Sequence, residues 1–226
     1  MASKNDDYEI SLIDNEADAR YCARLLSQEF ATNNPFSVFT RASAEDLFDT
    51  WLWPVITRTM DEKLSFLTRD RSTNQIIAAA FACDLFLLWQ TYPYDDSAPA
   101  SHNPTGDFFH ELAAHFIHHD LNQELTPNTF LYITAIGTQS EYVGRSLAMK
   151  LCVHLCDYAR DQRGFRYGFV QTTHPASRSI FVKGMHGEEK AIVDPAAWIW
   201  KKRNDSSCCP WKGYVGEPTV NILVKL

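Results

Sequence analysis

At 226 residues, with 45% hydrophobic and 13% aromatic content, the chain is long enough for one sizeable core and too apolar for a disordered protein. Its formal net charge of −7 excludes a general nucleic-acid binder, which needs a basic face. The longest apolar stretch, Ile76 to Trp89, is too short to span a bilayer, and the N-terminus lacks an apolar signal segment. We therefore expect a cytoplasmic protein with no membrane partner, forming a single domain over 1–226 with 1–7 as a flexible tail.

Hydrophobic periodicity predicts an alternation of strands and helices from the start of the chain. A strand at Tyr8–Asp14 precedes a helix over Ala19–Ala31, which Pro35 ends. The capping-box-like Ser43–Asp46 begins a second helix, and Pro54 should kink or divide that helix.

The rest of the chain continues this alternation. The remaining predicted elements are strands at Leu64–Asp70 and Gln75–Asp84, a long loop at Tyr92–Pro104, a helix at Gly106–Leu121, a strand at Phe130–Thr138, a helix at Glu141–Gln162, a strand at Arg166–Thr172, a short helix at Pro175–Lys183 and strand material at Tyr214–Leu226. This order predicts an α/β fold with a mixed sheet and helices on its faces. Asp84, within an apolar strand, is either buried beside a cleft or simply ends the strand.

The cysteines and histidines are candidate metal ligands. The six cysteines contain no CxxC pair, which favours reduced thiols over a zinc site. His115, His118 and His119 share one helix face and could hold a metal, as in a metal hydrolase. A hydrated helix face explains the same cluster, so we expect no metal.

The segment 130–186 contains the most informative pattern, because a short turn at 139–146 joins a strand to a long helix. Backbone N–H groups and the dipole at a helix N-terminus favour a phosphate or pyrophosphate. The stretch 142–148 (YVGRSLA) fits the frame Gln/Arg-x-x-Gly-x-Gly/Ala, the pyrophosphate loop of the GCN5-related N-acetyltransferase (GNAT) superfamily. Val143 stands at the Gln/Arg position, Ser146 at the central Gly position, and Ala148 matches the last position.

Two further stretches resemble that superfamily. The stretch 172–183 looks like its strand-then-helix element, and 25–36 (LLSQEFATNNPF) is similar to the first helix of arylalkylamine N-acetyltransferases. The resemblance implies a GNAT-like, mostly antiparallel central sheet that is splayed between two neighbouring strands. It also implies transfer of an acetyl group from acetyl-CoA to a small-molecule amine by direct attack on the thioester. The alternative is a catalytically impaired relative that binds CoA as a sensor or partner-binding module.

The resemblance implies roles for particular residues. Backbone groups of Ile136, Gly137 and Thr138 would hold the acyl and pantetheine arm, and Ser177 and Phe181 would flank its thiol end. The pyrophosphate would be held by the N–H groups of Val143, Gly144, Arg145, Ser146, Leu147 and Ala148. The serine at the central Gly position is tolerable only if its backbone does not require a positive φ.

The proton-handling residues of the superfamily are replaced in this chain. Asn34 stands where arylalkylamine-type members have an acid before proline, and Phe181 where many members have tyrosine. Candidate proton acceptors are His174, of a residue type that titrates near neutral pH, and Glu29 on the first helix. A turn residue and a solvated helix residue are the alternative interpretations.

The acceptor site is predicted only in outline. Asn34, Tyr132 and Thr134 are candidates for contacts with the amine, although core packing also explains Tyr132 and Thr134. The sequence indicates neither the amine nor the oligomeric state.

Overall fold

The structure is a computed structural model that describes residues 7–95, 97–101, 103–121, 123–202 and 208–226. The chain divides into two compact units. Unit 1 comprises Met1–Cys83 and Ile133–Arg163, and unit 2 comprises Asp84–Tyr132 and Gly164–Leu226. The single-domain prediction stays a prediction, and the predicted tail lies outside the described residues except for Asp7.

The bounds of the regular elements are as follows. The strands are β1 (Tyr8–Leu12), β2 (Phe66–Asp70), β3 (Ile76–Asp84), β4 (Phe130–Thr138), β5 (Tyr167–Thr172), β6 (Glu188–Val193) and β7 (Thr219–Lys225). The α-helices are α1 (Glu16–Asn33), α2 (Pro35–Thr40), α3 (Ala44–Leu47), α4 (Trp53–Thr59), α5 (Leu85–Thr91), α6 (Pro104–His115), α7 (Leu147–Arg163) and α8 (Pro175–Ser179). Single π-helical turns follow α3, α6 and α8.

Unit 1 contains the strand order β1-β2-β3-β4, with β2 antiparallel to both β1 and β3. Its helices begin where the sequence predicts caps. Asn15 accepts a hydrogen bond from the Asp18 N–H, and Ser43 forms a complete capping box with Asp46. The core packs the apolar face of α1, including Leu26, against residues of β2 and β3.

Unit 2 contains the first three residues of β4 and the strands β5, β7 and β6, with β7 antiparallel to both β5 and β6. The rings of Phe116 and Phe169 stack with centroids 4.2 Å apart in its core. Gln171 of β5 lies opposite Asn221 of β7, and Asn221 is fully buried. The Gln171 amide donates to the Asn221 oxygen and to the Phe109 carbonyl, while the Asn221 amide donates to the Leu112 carbonyl. This buried network fixes α6 against β5 and β7.

The structure confirms the α/β fold with a mostly antiparallel sheet and corrects three local predictions. Helix α7 begins at Leu147, directly after the turn predicted at 139–146 and later than the helical stretch predicted from Glu141, because residues with positive φ precede it. Strand β6 was missed, since its charged sequence EEKAIV is typical of an edge strand. The helix α5 was also missed. Asp84 ends β3 and caps α5 by accepting the Phe86 N–H at 2.9 Å.

Candidate functional site

The loop Gln139–Ser146, here called the β4–α7 loop, has a distinctive backbone. It forms a 3₁₀ turn at Ser140–Tyr142 and then adopts positive φ at Gly144 (85°) and Ser146 (60°). A positive φ costs a non-glycine residue roughly 1–2 kcal/mol. Ser146 therefore occupies a backbone conformation that favours glycine. We expected a serine at the central Gly position to be tolerated only without a positive φ, so this residue is unfavourable for the loop conformation.

The backbone N–H groups at the start of α7 suit an anion. Within the described part of the chain, no group accepts a hydrogen bond from any N–H between Gly144 and Met149. The helical ladder begins only where the Lys150 N–H donates to the Ser146 carbonyl at 3.0 Å. Of these residues Gly144, Arg145 and Ser146 are exposed, whereas Leu147 is buried in the core. Orphan N–H groups at the positive end of a long helix fit a phosphate or pyrophosphate.

Arg145 adds a cation to the β4–α7 loop. Its Nη1 donates to the Tyr8 hydroxyl at 2.8 Å, and its guanidinium lies 4.8 Å from the centroid of the Tyr142 ring. The Tyr142 hydroxyl donates to Asp70 at 3.2 Å. Hydrogen bonds from Ser72, and then from Thr73 and Tyr142, hold the pKa of the Asp70 carboxyl below its usual range. Arg145 is thus placed beside the orphan N–H groups and contacts aromatic side chains, and among the described residues no carboxylate forms an ion pair with it.

Glu29 fixes the beginning of the same loop. Its carboxylate accepts the Ser140 N–H at 3.1 Å and the Ser140 hydroxyl at 2.9 Å. The Asn33 amide donates to Glu29 at 2.8 Å and to the Ser140 hydroxyl at 3.1 Å. Both oxygens of the predicted proton acceptor therefore hold donors, which gives Glu29 a positioning role in this structure.

The end of β4 approaches α1 closely. A Cβ at Gly137 would lie 2.7 Å from Leu26 Cδ2, so a larger residue would require the Leu26 side chain to move. The next residue, Thr138, has a buried hydroxyl with no hydrogen-bond partner among the described residues. Packing alone explains the glycine, whereas a buried polar atom without a partner suits a ligand or a water. Ile136, Gly137 and Thr138 lie in the same unit as the β4–α7 loop.

The remaining cofactor and catalytic candidates lie in unit 2. His174 caps α8, because its Nδ1 accepts the Ala176 N–H at 3.1 Å. In a neutral ring that makes this bond, Nε2 carries the proton and cannot accept another. Ser177 is half-buried on α8, and Phe181 is fully buried in the π-helical turn that follows.

Several solved structures share this arrangement of elements at low sequence identity. The C-terminal condensation domain of Ebony in complex with beta-alanyl-dopamine is 15% identical over 96% of this chain and 99% of that chain, with a TM-score of 0.74. The polyamine N-acetyltransferase of Drosophila melanogaster, which forms N-acetylagmatine, is 14% identical over 96% and 100%, with a TM-score of 0.65. Arylalkylamine N-acetyltransferase 2 from Aedes aegypti is 12% identical over 98% and 99%, with a TM-score of 0.64. The chain has the GNAT fold.

The sequence itself matches no family model and no curated protein. Identities of this size show the fold alone, so the GNAT fold confirms the architecture that the loop pattern implied. The β4–α7 loop occupies the strand-to-helix junction at which the pyrophosphate loop pattern was recognised.

The three predicted acceptor-site residues have structural partners. The Asn34 side chain caps α2 by accepting the N–H groups of Phe36 and Ser37 at 3.0 and 3.1 Å. The Thr134 hydroxyl donates to the Phe81 carbonyl at 3.1 Å, and the Tyr132 hydroxyl donates to Gln171 at 2.7 Å. Their roles toward a substrate stay predictions.

The histidine cluster of α6 has a local explanation. The ring centroids of His115 and His119 lie 4.9 Å apart, and His115 Nδ1 lies 3.4 Å from Asp120. The described ranges contain no group of three or more His, Cys, Asp or Glu side chains arranged for a metal. All six cysteines are free, and burial raises the pKa of the Cys156 thiol to about 12. Among the described helices, none has the length and apolar character needed to cross a bilayer.

Sequence reasoning missed the side chains that support the loop. The spacing of Glu29 and Asn33 is readable as an i,i+4 pair on a helix. Their contact with Ser140, more than a hundred positions later, has no signal in the sequence. The same holds for Tyr8 and Arg145.

Proposed function

We propose that the chain is an N-acyltransferase that transfers an acetyl group from acetyl-CoA to the amine of a small molecule. The observation that carries the proposal is the start of α7, where unpartnered N–H groups and Arg145 meet in a loop with positive φ at Gly144 and Ser146. The fold supports it, since structures that share it include N-acetyltransferases for arylalkylamines and for agmatine.

The chemistry requires a neutral amine, because only the neutral form attacks the thioester carbonyl. A base removes a proton as the carbon–nitrogen bond forms, a donor stabilises the oxyanion, and the thiolate leaves. Glu29 has both oxygens engaged, whereas the Nδ1 of His174 accepts a single backbone N–H. We therefore favour His174 over Glu29 as the proton acceptor. For this role the hydrogen bond from the Ala176 N–H to His174 Nδ1 must first break or exchange.

Calorimetric titration with acetyl-CoA tests the cofactor site. We expect micromolar binding, about −8 kcal/mol. Gly144→Asp should abolish it, because aspartate tolerates a positive φ but places a negative charge beside the phosphates. Gly164→Asp is the matched control, since Gly164 also has a positive φ (79°) and follows the other end of α7. Equal affinity in the parent and in folded Gly144→Asp would rule out the β4–α7 loop as the pyrophosphate site.

Thiol release over a panel of amines tests turnover. Dopamine and agmatine belong in the panel because similar structures carry these groups in their ligands or products, and β-alanyl-CoA belongs beside acetyl-CoA as a donor. Binding of acetyl-CoA without thiol release from any pair would support the alternative of a CoA-binding sensor. The variants His174→Ala and Glu29→Gln then distinguish the two candidates. Loss of the proton acceptor should remove the increase of kcat/KM with rising pH, whereas loss of a positioning residue should leave that increase in place.

A further inference from the structure

The side chain of Arg145 is held at two points, although the residue belongs to the exposed part of the β4–α7 loop. Its Nη1 donates to the Tyr8 hydroxyl at 2.8 Å, and its guanidinium carbon lies 4.8 Å from the centroid of the Tyr142 ring. Among the described residues, no other group accepts a hydrogen bond from this guanidinium, so its remaining N–H groups are available to a ligand. An anchored arginine with donors to spare suits a phosphate.

The two aromatic anchors are built on the sheet and also contact each other. The rings of Tyr8 and Tyr142 meet edge to face, with centroids 6.5 Å apart and planes at 78°. The Tyr142 hydroxyl donates to Asp70 Oδ2 at 3.2 Å. Tyr8 at the start of β1 lies directly opposite Asp70 at the end of β2 in their antiparallel pairing. Both anchors of Arg145 are therefore fixed through the same pair of strand residues.

Asp70 is itself held by the turn that follows β2. Its Oδ1 accepts the Ser72 N–H at 2.8 Å and the Ser72 hydroxyl, together with the Thr73 N–H at 3.3 Å. Its Oδ2 is the oxygen that accepts the Tyr142 hydroxyl. The carboxylate thus fixes the tyrosine ring without forming an ion pair with Arg145, which keeps the guanidinium available.

This arrangement has a consequence for the affinity of a ligand. A freely rotating arginine loses rotamer entropy when it binds a ligand, and that loss weakens binding. The hydrogen bond to Tyr8 and the Tyr142 ring restrict the Arg145 side chain before any ligand arrives. Part of the entropy is then lost on folding rather than on binding.

We propose that Tyr8 and Tyr142 are positioning residues, which hold the Arg145 guanidinium in place for a phosphate group of the ligand bound at the start of α7. The orphan N–H groups of the loop bind the same ligand and supply the larger share of the affinity. The identity of this ligand as acetyl-CoA rests on the proposed function, whereas the positioning of a phosphate-binding arginine does not.

A double-mutant cycle tests the proposal, with the dissociation constants of CoA and of inorganic pyrophosphate measured by calorimetry. Tyr8→Phe keeps the ring and removes the hydroxyl that holds Nη1, so it should weaken CoA binding about threefold. In the Arg145→Ala background the same change should have no effect, because no guanidinium remains to be positioned. A purely structural role of Tyr8 would give the same loss in both backgrounds.

The second anchor is tested with a graded pair of variants. Tyr142→Leu removes the ring beside the guanidinium and should weaken CoA binding about fivefold, whereas Tyr142→Phe keeps the ring and should retain most of the affinity. Tyr158→Phe is the matched control, because Tyr158 is a half-buried tyrosine of unit 1 whose ring contacts Phe66, and it should leave the affinity unchanged. Circular dichroism checks folding, and the Tyr142 variants carry the same cycle if Tyr8→Phe unfolds.

The outcomes separate this proposal from the proposed function. Parental affinity in the folded anchor variants, or equal losses with and without Arg145, would overturn the positioning role. If the cycle shows the expected coupling while no donor and amine pair releases thiol, the positioning role stands and the acyltransferase proposal fails. If thiol is released but the cycle shows no coupling, only the positioning role fails. If the parent binds neither CoA nor pyrophosphate, both proposals fail.

Discussion

The β4–α7 loop and the carboxylates of α6 use different parts of the chain to hold charge. The loop offers backbone N–H groups, set by φ angles at Gly144 and Ser146, and its side chain Val143 is apolar and 70% exposed. On α6, Asp107 and Glu111 accept the indole N–H groups of Trp200 and Trp198, and Lys202 lies beside Asp107; we call these five residues the α6 cluster. A backbone anion site can therefore persist while its side chains change, whereas the α6 cluster depends on each side chain.

This difference explains why the two regions are not equally easy to recognise in the sequence. A backbone site constrains mainly residues whose φ is unusual, and of the two such residues here Gly144 is a glycine while Ser146 is not, so the pattern is matched only in part. A side-chain cluster draws residues from separate segments, here 107–111 and 198–202, and no local spacing unites them. The predictions below test this contrast from the largest expected effect to the smallest.

The largest effect is expected where side chains fix α6. Asn221→Ala removes one of the two partners of the Gln171 amide, which keeps the Phe109 carbonyl, and one of the two partners of the Leu112 carbonyl of α6, which keeps the Phe116 N–H. Losing two buried hydrogen bonds, each contributing about 0.5–1.5 kcal/mol, should lower the free energy of unfolding by about 1–3 kcal/mol. Urea denaturation measures this. Asn33→Ala, which removes exposed bonds in the loop support, should cost under about 0.5 kcal/mol. Similar losses for both variants would contradict the contrast.

Arg145 tests how far the loop depends on its backbone. Arg145→Ala should weaken acetyl-CoA binding about tenfold, equivalent to about 1.4 kcal/mol, and should reduce the salt dependence of binding. Arg71→Ala is the control, because Arg71 is an exposed arginine of unit 1 paired with Glu9. Complete loss of binding in a folded Arg145→Ala variant would mean that a side chain, not the backbone, supplies most of the affinity.

Ser146 tests the cost of the loop conformation. Ser146→Gly relieves the positive φ but makes the unfolded chain more flexible, for a net stabilisation of about 0.5–1 kcal/mol. Thermal unfolding measures it. Asn128→Gly is the control in unit 2, since asparagine already tolerates its φ of 55°. A larger gain at Asn128 than at Ser146 would show that the serine is unstrained.

The fold could be predicted from the sequence because hydrophobic periodicity and helix caps depend only on neighbouring residues. Ser43, Pro54 and the run Phe130–Thr138 each indicate structure from a few neighbours, and each is placed as expected. The start of α7 was misplaced because helical periodicity continues through Tyr142, and only the φ angles at Gly144 and Ser146 interrupt it. Composition alone does not encode those angles.

The candidate site was harder to predict from the sequence than the fold was, for a different reason. Loop residues were found through a pattern, but Ser140, Tyr8 and Asn33 act through contacts that only the folded chain creates. In unit 2, the spacing of Asp107 and Glu111 is visible on a predicted helix, yet carboxylates at that spacing usually form a solvated face. Burial by Trp198 and Trp200 is what separates the two cases.

The smallest effect concerns a side-chain pair of unit 2 outside the α6 cluster. Arg178 donates to both oxygens of Glu189, at 2.5 and 3.0 Å, and this contact holds the pKa of the Glu189 carboxyl below its usual range. Because the unfolded state binds the proton more readily, the pair contributes stability above about pH 4.5 and loses it as the pH falls through the lowered pKa. The contribution of a partly exposed pair should be under about 1 kcal/mol.

Glu189→Gln should therefore flatten the acid limb of the plot of unfolding free energy against pH, while Glu188→Gln, at an exposed neighbour, should leave that limb unchanged. An acid limb identical in the parent and Glu189→Gln would mean that unit 2 gains no stability from this pair, and that its dependence on side chains is confined to the buried network and the α6 cluster.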